Sequence, residues 1–138
     1  MIIYADELLK RYAAGEREFK GADLIGVSLK GAHLSQANFY EASLSEADLS
    51  ETNLSQVNLT EASLSAANLS QANLSEANLN GANLFGANLR NANLQGANLK
   101  MADLTEADLT QANLQDANLW GAKLLGAKLD GAKLPKND

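Results

Sequence analysis

A chain of 138 residues with a formal net charge of −6 is long enough for one domain and too short for two ordinary ones. It holds 25 Leu, 24 Ala and 15 Asn against 2 Val and 3 Ile; this excludes an ordinary sandwich or barrel, whose strands draw on β-branched residues. The absence of Cys removes disulfides, thiolate metal ligands and thiol nucleophiles, and the single His33 removes any scheme that needs two imidazoles.

The chain opens with a segment unlike the rest of its length. Asp6 is placed as an N-cap, Leu8, Leu9 and Tyr12 fall on one helical face, Lys10 and Arg11 suit a last turn, and Gly15 is placed to stop the helix. The expectation is a helix over 6–14 inside a capping segment of residues 1–18, since the apolar spacing is that of a packed segment rather than of a disordered tail. No apolar run approaches the roughly 20 residues that span a bilayer. Residues 1–7 lack the basic start and long apolar stretch of a signal peptide, so the expected location is cytoplasmic, with no membrane partner.

From Phe19 to Leu134 an apolar residue falls at every fifth position, 24 units in one register. Two residues before each of these, from Ala22 to Ala132, the residue is Ala in 20 of 23 units, with Val27, Thr52 and Val57 as exceptions. The residue between them is Asn in 12 units and Asp in four. On an α-helix a step of five turns about 140°, which scatters the leucines around the cylinder. In a straight strand an odd step sends successive leucines to opposite faces. Both conflicts vanish if a short extended piece, with Ala and Leu pointing the same way, is followed by a bend in every unit. The chain then coils around its own leucines, which is the signature of a solenoid. The small Ala lets the chain turn inward and Leu fills the centre. Asn and Asp suit the outward middle place because their side chains hydrogen-bond local turn backbone, and the two variable places carry the Ser, Thr, Gln, Glu and Gly of turns.

The Ala-Asn/Asp-Leu-x-x register over residues 19–134 resembles the pentapeptide repeat family, and the opening segment is similar to that of some cyanobacterial members. The resemblance implies an all-β solenoid, a right-handed quadrilateral parallel β-helix with a short N-terminal capping α-helix. Its coil takes four units, giving about six coils here and a rod of roughly 29 Å at the usual spacing between strands. In such a coil Phe19 and Phe39 share an interior column. Asn38, Asn58, Asn78, Asn98 and Asn118 line one face and Asn53, Asn73, Asn93 and Asn113 another, where stacked amides bond along a ladder. Residues 135–138 are a tail, because Pro135 ends the register.

A filled solenoid is a convex rod without the concave site that catalysis needs. His33 takes an outward middle place, Asp23, Asp48, Asp103 and Asp108 stand in for Asn, and the glycines keep the register of five rather than a P-loop or dinucleotide spacing. The chain is therefore read as not an enzyme, with no catalytic residue, cofactor or metal site. Charge is more telling. Lys and Arg are absent between Gly31 and Leu89, where Glu41, Glu46, Asp48, Glu51, Glu61 and Glu76 form an acidic surface, while Lys123, Lys128 and Lys133 take the middle place near the far end and Lys136 comes after them. No basic face runs along the rod, which argues against direct nucleic-acid binding.

Most residues at the first variable place are small and polar, but Phe85, Trp120 and Leu125 are large and apolar. Together with Lys100, in the Trp120 column, they mark a protein-contact surface near the C-terminal end, which also lacks a helical cover. The expected function is a non-catalytic structural or protein-binding module with an unidentified protein partner. The expected state is a monomer, with a C-terminal end-to-end dimer as the other arrangement. The resemblance also implies an alternative, since some members are DNA mimics that bind DNA gyrase with an acidic rod. Three features oppose it here: acidic residues spread over several faces, basic ends, and no C-terminal helix of the kind that builds the mimics' dimers.

Overall fold

The computed structural model describes residues 1–136. The unit around Leu79 shows what five residues achieve. Leu79 N–H donates to the Asn98 carbonyl at 2.7 Å, Gly81 N–H to Lys100 O at 2.9 Å, and Asn78 N–H reaches back to Val57 O at 2.9 Å. Ala82 N–H closes the corner on Leu79 O at 3.0 Å. The one N–H left over, that of Asn80, goes to the side-chain Oδ1 of Asn78 at 3.1 Å. Every backbone donor of the unit therefore has a partner, as a packed backbone requires.

Repetition of this pattern builds the solenoid. The middle residues pair in parallel with those 20 positions on, as in Asn58↔Asn78 and Asn78↔Asn98, and the series runs from Glu18↔Asn38 to Asn113↔Lys133. A unit contributes a single bridging residue rather than a strand, because a turn interrupts each extended piece. Among the described residues every non-glycine with positive φ, from Gln36 at 64° to Asp116 at 61°, stands at the second variable place. A positive φ at the third residue of a turn closed by an i to i+3 bond is the signature of type II. It explains why Gly81, at 70°, alternates there with residues that adopt the same conformation under strain.

The Leu register is buried from Phe19 through Leu114, as is the Ala register apart from the half-buried Val27 and Ala32, and the Phe19 and Phe39 rings stack in one column at 5.5 Å. The expectation of an interior reaching Leu134 is corrected at the C-terminal end. Leu119, Leu124 and Leu129 are half-buried and Leu134 is 53 % exposed, because no described residue stacks over them.

The opening segment contains helix α1, Ala5–Ala13. The N-cap is Tyr4, without a side-chain cap bond, rather than Asp6. Asp6 instead lies in the first turn, where its Oδ1 accepts from Glu7 N–H at 2.9 Å and its charge suits the positive end of the helix dipole. Leu8 is fully buried and Tyr12 half-buried, but Leu9, expected on the same face, is 38 % exposed. At the other end Glu16 N–H bonds Arg11 O at 3.0 Å and Gly15 N–H bonds Tyr12 O at 2.9 Å, a Schellman stop with Gly15 at φ 101°.

Two devices that carry no sequence signature cover the edge of the first coil. Met1–Ile3 adds a parallel bridge, Ile2↔Asp23, with Asp23 N–H on Met1 O at 2.8 Å. The Tyr12 hydroxyl donates to Ser35 O at 2.8 Å, taking a carbonyl whose counterparts deeper in the stack accept from the preceding coil. Both blunt an edge that would otherwise be open to pairing.

The outward asparagines also differ from the expected ladders. Their Oδ1 atoms accept from the N–H two residues on, as Asn38 does for Tyr40 and Asn93 for Gln95. Column bonds are sparse, for example Asn98 Nδ2 to Asn78 Oδ1 at 3.4 Å. Local turn bonding has outcompeted stacking.

Chemical denaturation separates these roles. Leu79→Ala is expected to cost about 2–5 kcal/mol, and Asn78→Ala about 0.5–1.5 kcal/mol, the scale of one hydrogen bond; equal losses would contradict the assignment of Asn78 as outward. Ala66→Gly, at an exposed corner with φ 57°, is expected to leave stability unchanged or raise it by up to about 1 kcal/mol, whereas at ordinary φ the same change destabilises.

Candidate protein-contact site

Trp120 follows Leu119 at the first variable place, where the Asn118 Oδ1 holds its N–H at 3.0 Å and leaves the indole 67 % exposed. Lys100 lies one coil before it with Nζ 5.3 Å from the ring centroid, a cation–π pair. Leu125, on the next corner, is 81 % exposed, and Phe85 is 45 % exposed. The structure thus brings Lys100 and Trp120 together. It keeps Phe85 apart from Leu125, because Thr105 occupies the coil between them in that column.

A larger feature lies beside Trp120, at the end expected to lack a cover. The open end of the last coil forms a depression of about 470 Å³ walled by Leu119, Trp120, Leu124, Leu129, Leu134 and Pro135. Its leucines are core residues of the repeat, so nothing in their type distinguished them from buried ones. The signal was positional: they belong to the last units of the run.

Lysines flank this end. Lys123 and Lys128 bridge in parallel to Asp103 and Asp108, and Lys133 to Asn113. Thr105, by its side chain and its N–H, holds the Asp103 carboxyl below its ordinary range, and Lys123 adds to the effect. Asp108 is lowered to about 2, first by the Thr110 hydroxyl, with further help from Thr110 N–H and from Arg90, whose Nη1 lies 3.1 Å away. A lysine in the middle place offers no acceptor. The N–H groups of Leu125 and Asp130 therefore lack the side-chain partner that Asn118 gives Trp120, among the described residues, while Pro135 has no N–H to satisfy.

The acidic residues do not assemble into one face. Glu41 and Glu61 share a corner column by the 20-residue register, whereas Glu46, Glu51 and Glu76 stand on three others, all exposed. Asp48 is tied to Ser50, whose hydroxyl and N–H lower its pKa, and Glu51 lies 3.8 Å from Lys30. His33 stands outward and exposed on its bridge to Asn53. Among the described residues, no group of three or more His, Cys, Asp or Glu could hold a metal ion, and no helix is long and apolar enough to cross a membrane.

The family model described as pentapeptide repeats (8 copies) matches residues 18–56, 52–91, 62–100, 72–111 and 102–136. The chain belongs to the pentapeptide repeat family. The crystal structure of the pentapeptide repeat protein Rfr23 from the cyanobacterium Cyanothece 51142 is similar at 35% identity and a TM-score of 0.64, covering 91% of this chain and 96% of that one. A pentapeptide repeat protein of the Arabidopsis thaliana thylakoid lumen is similar at 38% identity and a TM-score of 0.65, over 66% of this chain and 63% of that one. The plasmid-mediated fluoroquinolone resistance protein QnrB1 shares the fold at 19% identity and a TM-score of 0.57, over 85% of this chain and 68% of its own. No curated protein sequence matches this pentapeptide repeat protein.

The depressed Asp108 pKa yields a pH dependence. The folded state favours the carboxylate, so its stabilisation is present above the ordinary value of 3.8 and is lost as pH falls from 3.8 to about 2. In thermal unfolding over that range, Asp108→Asn is expected to shallow the acid loss of stability. An unchanged pH profile would contradict the assignment.

Proposed function

We propose that this pentapeptide repeat protein is a non-catalytic protein-binding module that docks its partner with the C-terminal end of its rod. The contact surface is Trp120 with Lys100 beside it, Leu125 on the next corner and the apolar mouth of the last coil, and Phe85 extends it along the Leu125 column. The observation that carries this reading is the opening of the core at that end, where Trp120 and Leu125 are largely exposed and Leu134 is 53 % exposed. An apolar centre with an aromatic anchor and a charged rim is the composition of a protein interface.

The scaffold of the proposal is a right-handed quadrilateral β-helix of about six coils, supported by the 20-residue parallel register, with residues 1–18 as cap, 19–134 as rod and 135–138 as tail. Asn137 and Asp138 lie outside the described residues. The proposed state is monomeric and the proposed location cytoplasmic, although the Arabidopsis relative is a thylakoid-lumen protein. A DNA mimic of the kind that binds gyrase needs a continuous acidic face to match the charge density of the duplex. Here the exposed glutamates are divided among corner columns, and stoichiometric protein is expected to leave gyrase supercoiling unchanged.

The test is Trp120→Ser combined with Leu125→Ser. Recovery of the partner in a pull-down is expected to fall severalfold while circular dichroism and solution mass stay those of the folded monomer. Unchanged recovery by a folded double variant would place the contact elsewhere.

A further inference from the structure

In the interior, each face of a coil presents two N–H donors and one carbonyl to the next coil. Leu104 N–H bonds Lys123 O at 2.8 Å, Glu106 N–H bonds Leu125 O at 2.9 Å, and Ala102 O accepts from Lys123 N–H at 2.9 Å. The last coil repeats this array, and no described residue lies on its far side. Among the described residues, the N–H groups of Leu124, Gly126, Leu129 and Gly131 have no backbone acceptor, and the carbonyls of Ala122 and Ala127 have no donor. The exposed edge is therefore a preformed ladder whose geometry the preceding coil has already fixed, bordered by the half-buried Leu124 and Leu129.

Charge selects what fits it. Lys123 and Lys128 stand outward at the middle of the two faces, and within the chain the residue bridged to each of them is an aspartate, Asp103 and Asp108. The same neighbour is favoured on the open side, since opposite charges directly across a ladder attract and like charges repel. A second copy meeting end to end would bring two lysine rims together, which disfavours self-association. Side chains alternate along an extended segment, so a strand that covers Ala122 and Leu124, or Ala127 and Leu129, with apolar residues turns its intervening residue outward, beside Lys123 or Lys128.

We propose that the C-terminal edge is a β-augmentation site for an extended segment of a partner protein patterned apolar–acidic–apolar, paired to the backbone of Ala122–Leu124 or Ala127–Leu129 with its acidic residue against Lys123 or Lys128. Backbone pairing supplies the attachment and the lysines choose the sequence, as in other strand-addition modes. This inference rests on the reading of the C-terminal end as the contact surface and names the chemistry of what binds there.

Trp120, the single tryptophan of the chain, borders the site and reports on it. The probe is an acetylated and amidated peptide of two Ala-Asp-Leu-Thr-Gly units, titrated against the full chain while the indole emission is followed. A saturable blue shift is expected. It should be weakened about tenfold or more when the peptide's aspartates are replaced by lysine, and likewise when its pairing amides are N-methylated. Lys123→Glu with Lys128→Glu should reverse the preference, so that the lysine peptide binds better than the aspartate peptide. No shift at millimolar peptide overturns the proposal, as does binding indifferent to N-methylation or to peptide charge. A concentration-dependent shift with dimeric mass and no peptide overturns it in favour of a second copy. If the peptide fails while the Trp120→Ser and Leu125→Ser variant still loses its partner, the docking end stands and strand addition falls.

Discussion

The structure depends on one constraint: a five-residue unit has five backbone N–H groups, and the coil supplies backbone acceptors for four. Two of them go to the following coil, one to the preceding coil and one across the corner, as the bonds of Leu79, Gly81, Asn78 and Ala82 show. The fifth, on the residue after Leu, points where no carbonyl lies. An Asn or Asp two residues earlier accepts it, as in Asn83 to Phe85 and Asp103 to Thr105. The middle place is thus polar for a backbone reason rather than for solubility alone, and its side chain must stay outside the core to accept that bond. Once that donor is held, Ala and Leu face inward, the corner adopts positive φ, and the register cannot slip without orphaning amides.

Each coil then depends only on its neighbours, so the two ends govern how the rod meets its surroundings. At the N-terminal end, Met1–Ile3 and the Tyr12 hydroxyl take up edge groups while Leu8 seals the core. At the other end Lys123, Lys128 and Lys133 replace the turn acceptor, and the leucines of the last coil lie partly open. The same substitutions leave the Leu125 and Asp130 amides without a side-chain acceptor among the described residues and make the rim basic. A chain of net charge −6 therefore carries its basic surface beside its apolar opening.

Much of this was legible in the sequence because the period is incompatible with either regular element and the Leu and Ala registers run without a slip. The stacked Phe19 and Phe39 and the exposed Phe85, Trp120 and Leu125 follow from register alone. Other features carried no periodic signal. Met1–Ile3 pairs with the first coil although it belongs to no unit, and Tyr4 rather than Asp6 precedes the helix because packing of Leu8 sets its start more than capping does. The strained corners were masked by Glu and Gln, which do not advertise positive φ as Gly does. The uncovered end was legible, but the partial exposure of Leu124 and Leu129 was not, because they look like core residues.

Residue-resolved hydrogen exchange tests the role of the fifth donor most directly, because the chain holds its own control in the interior coils. Asn80 and Phe85 N–H groups follow asparagines that accept them, while those of Ser45 and Ser65 follow Ser43 and Ser63 and have no acceptor among the described residues. The account predicts slow exchange at Asn80 and Phe85 and distinctly faster exchange at Ser45 and Ser65, with Leu44 and Leu64 beside them uniformly slow. Equal rates at all four variable-place amides would contradict it.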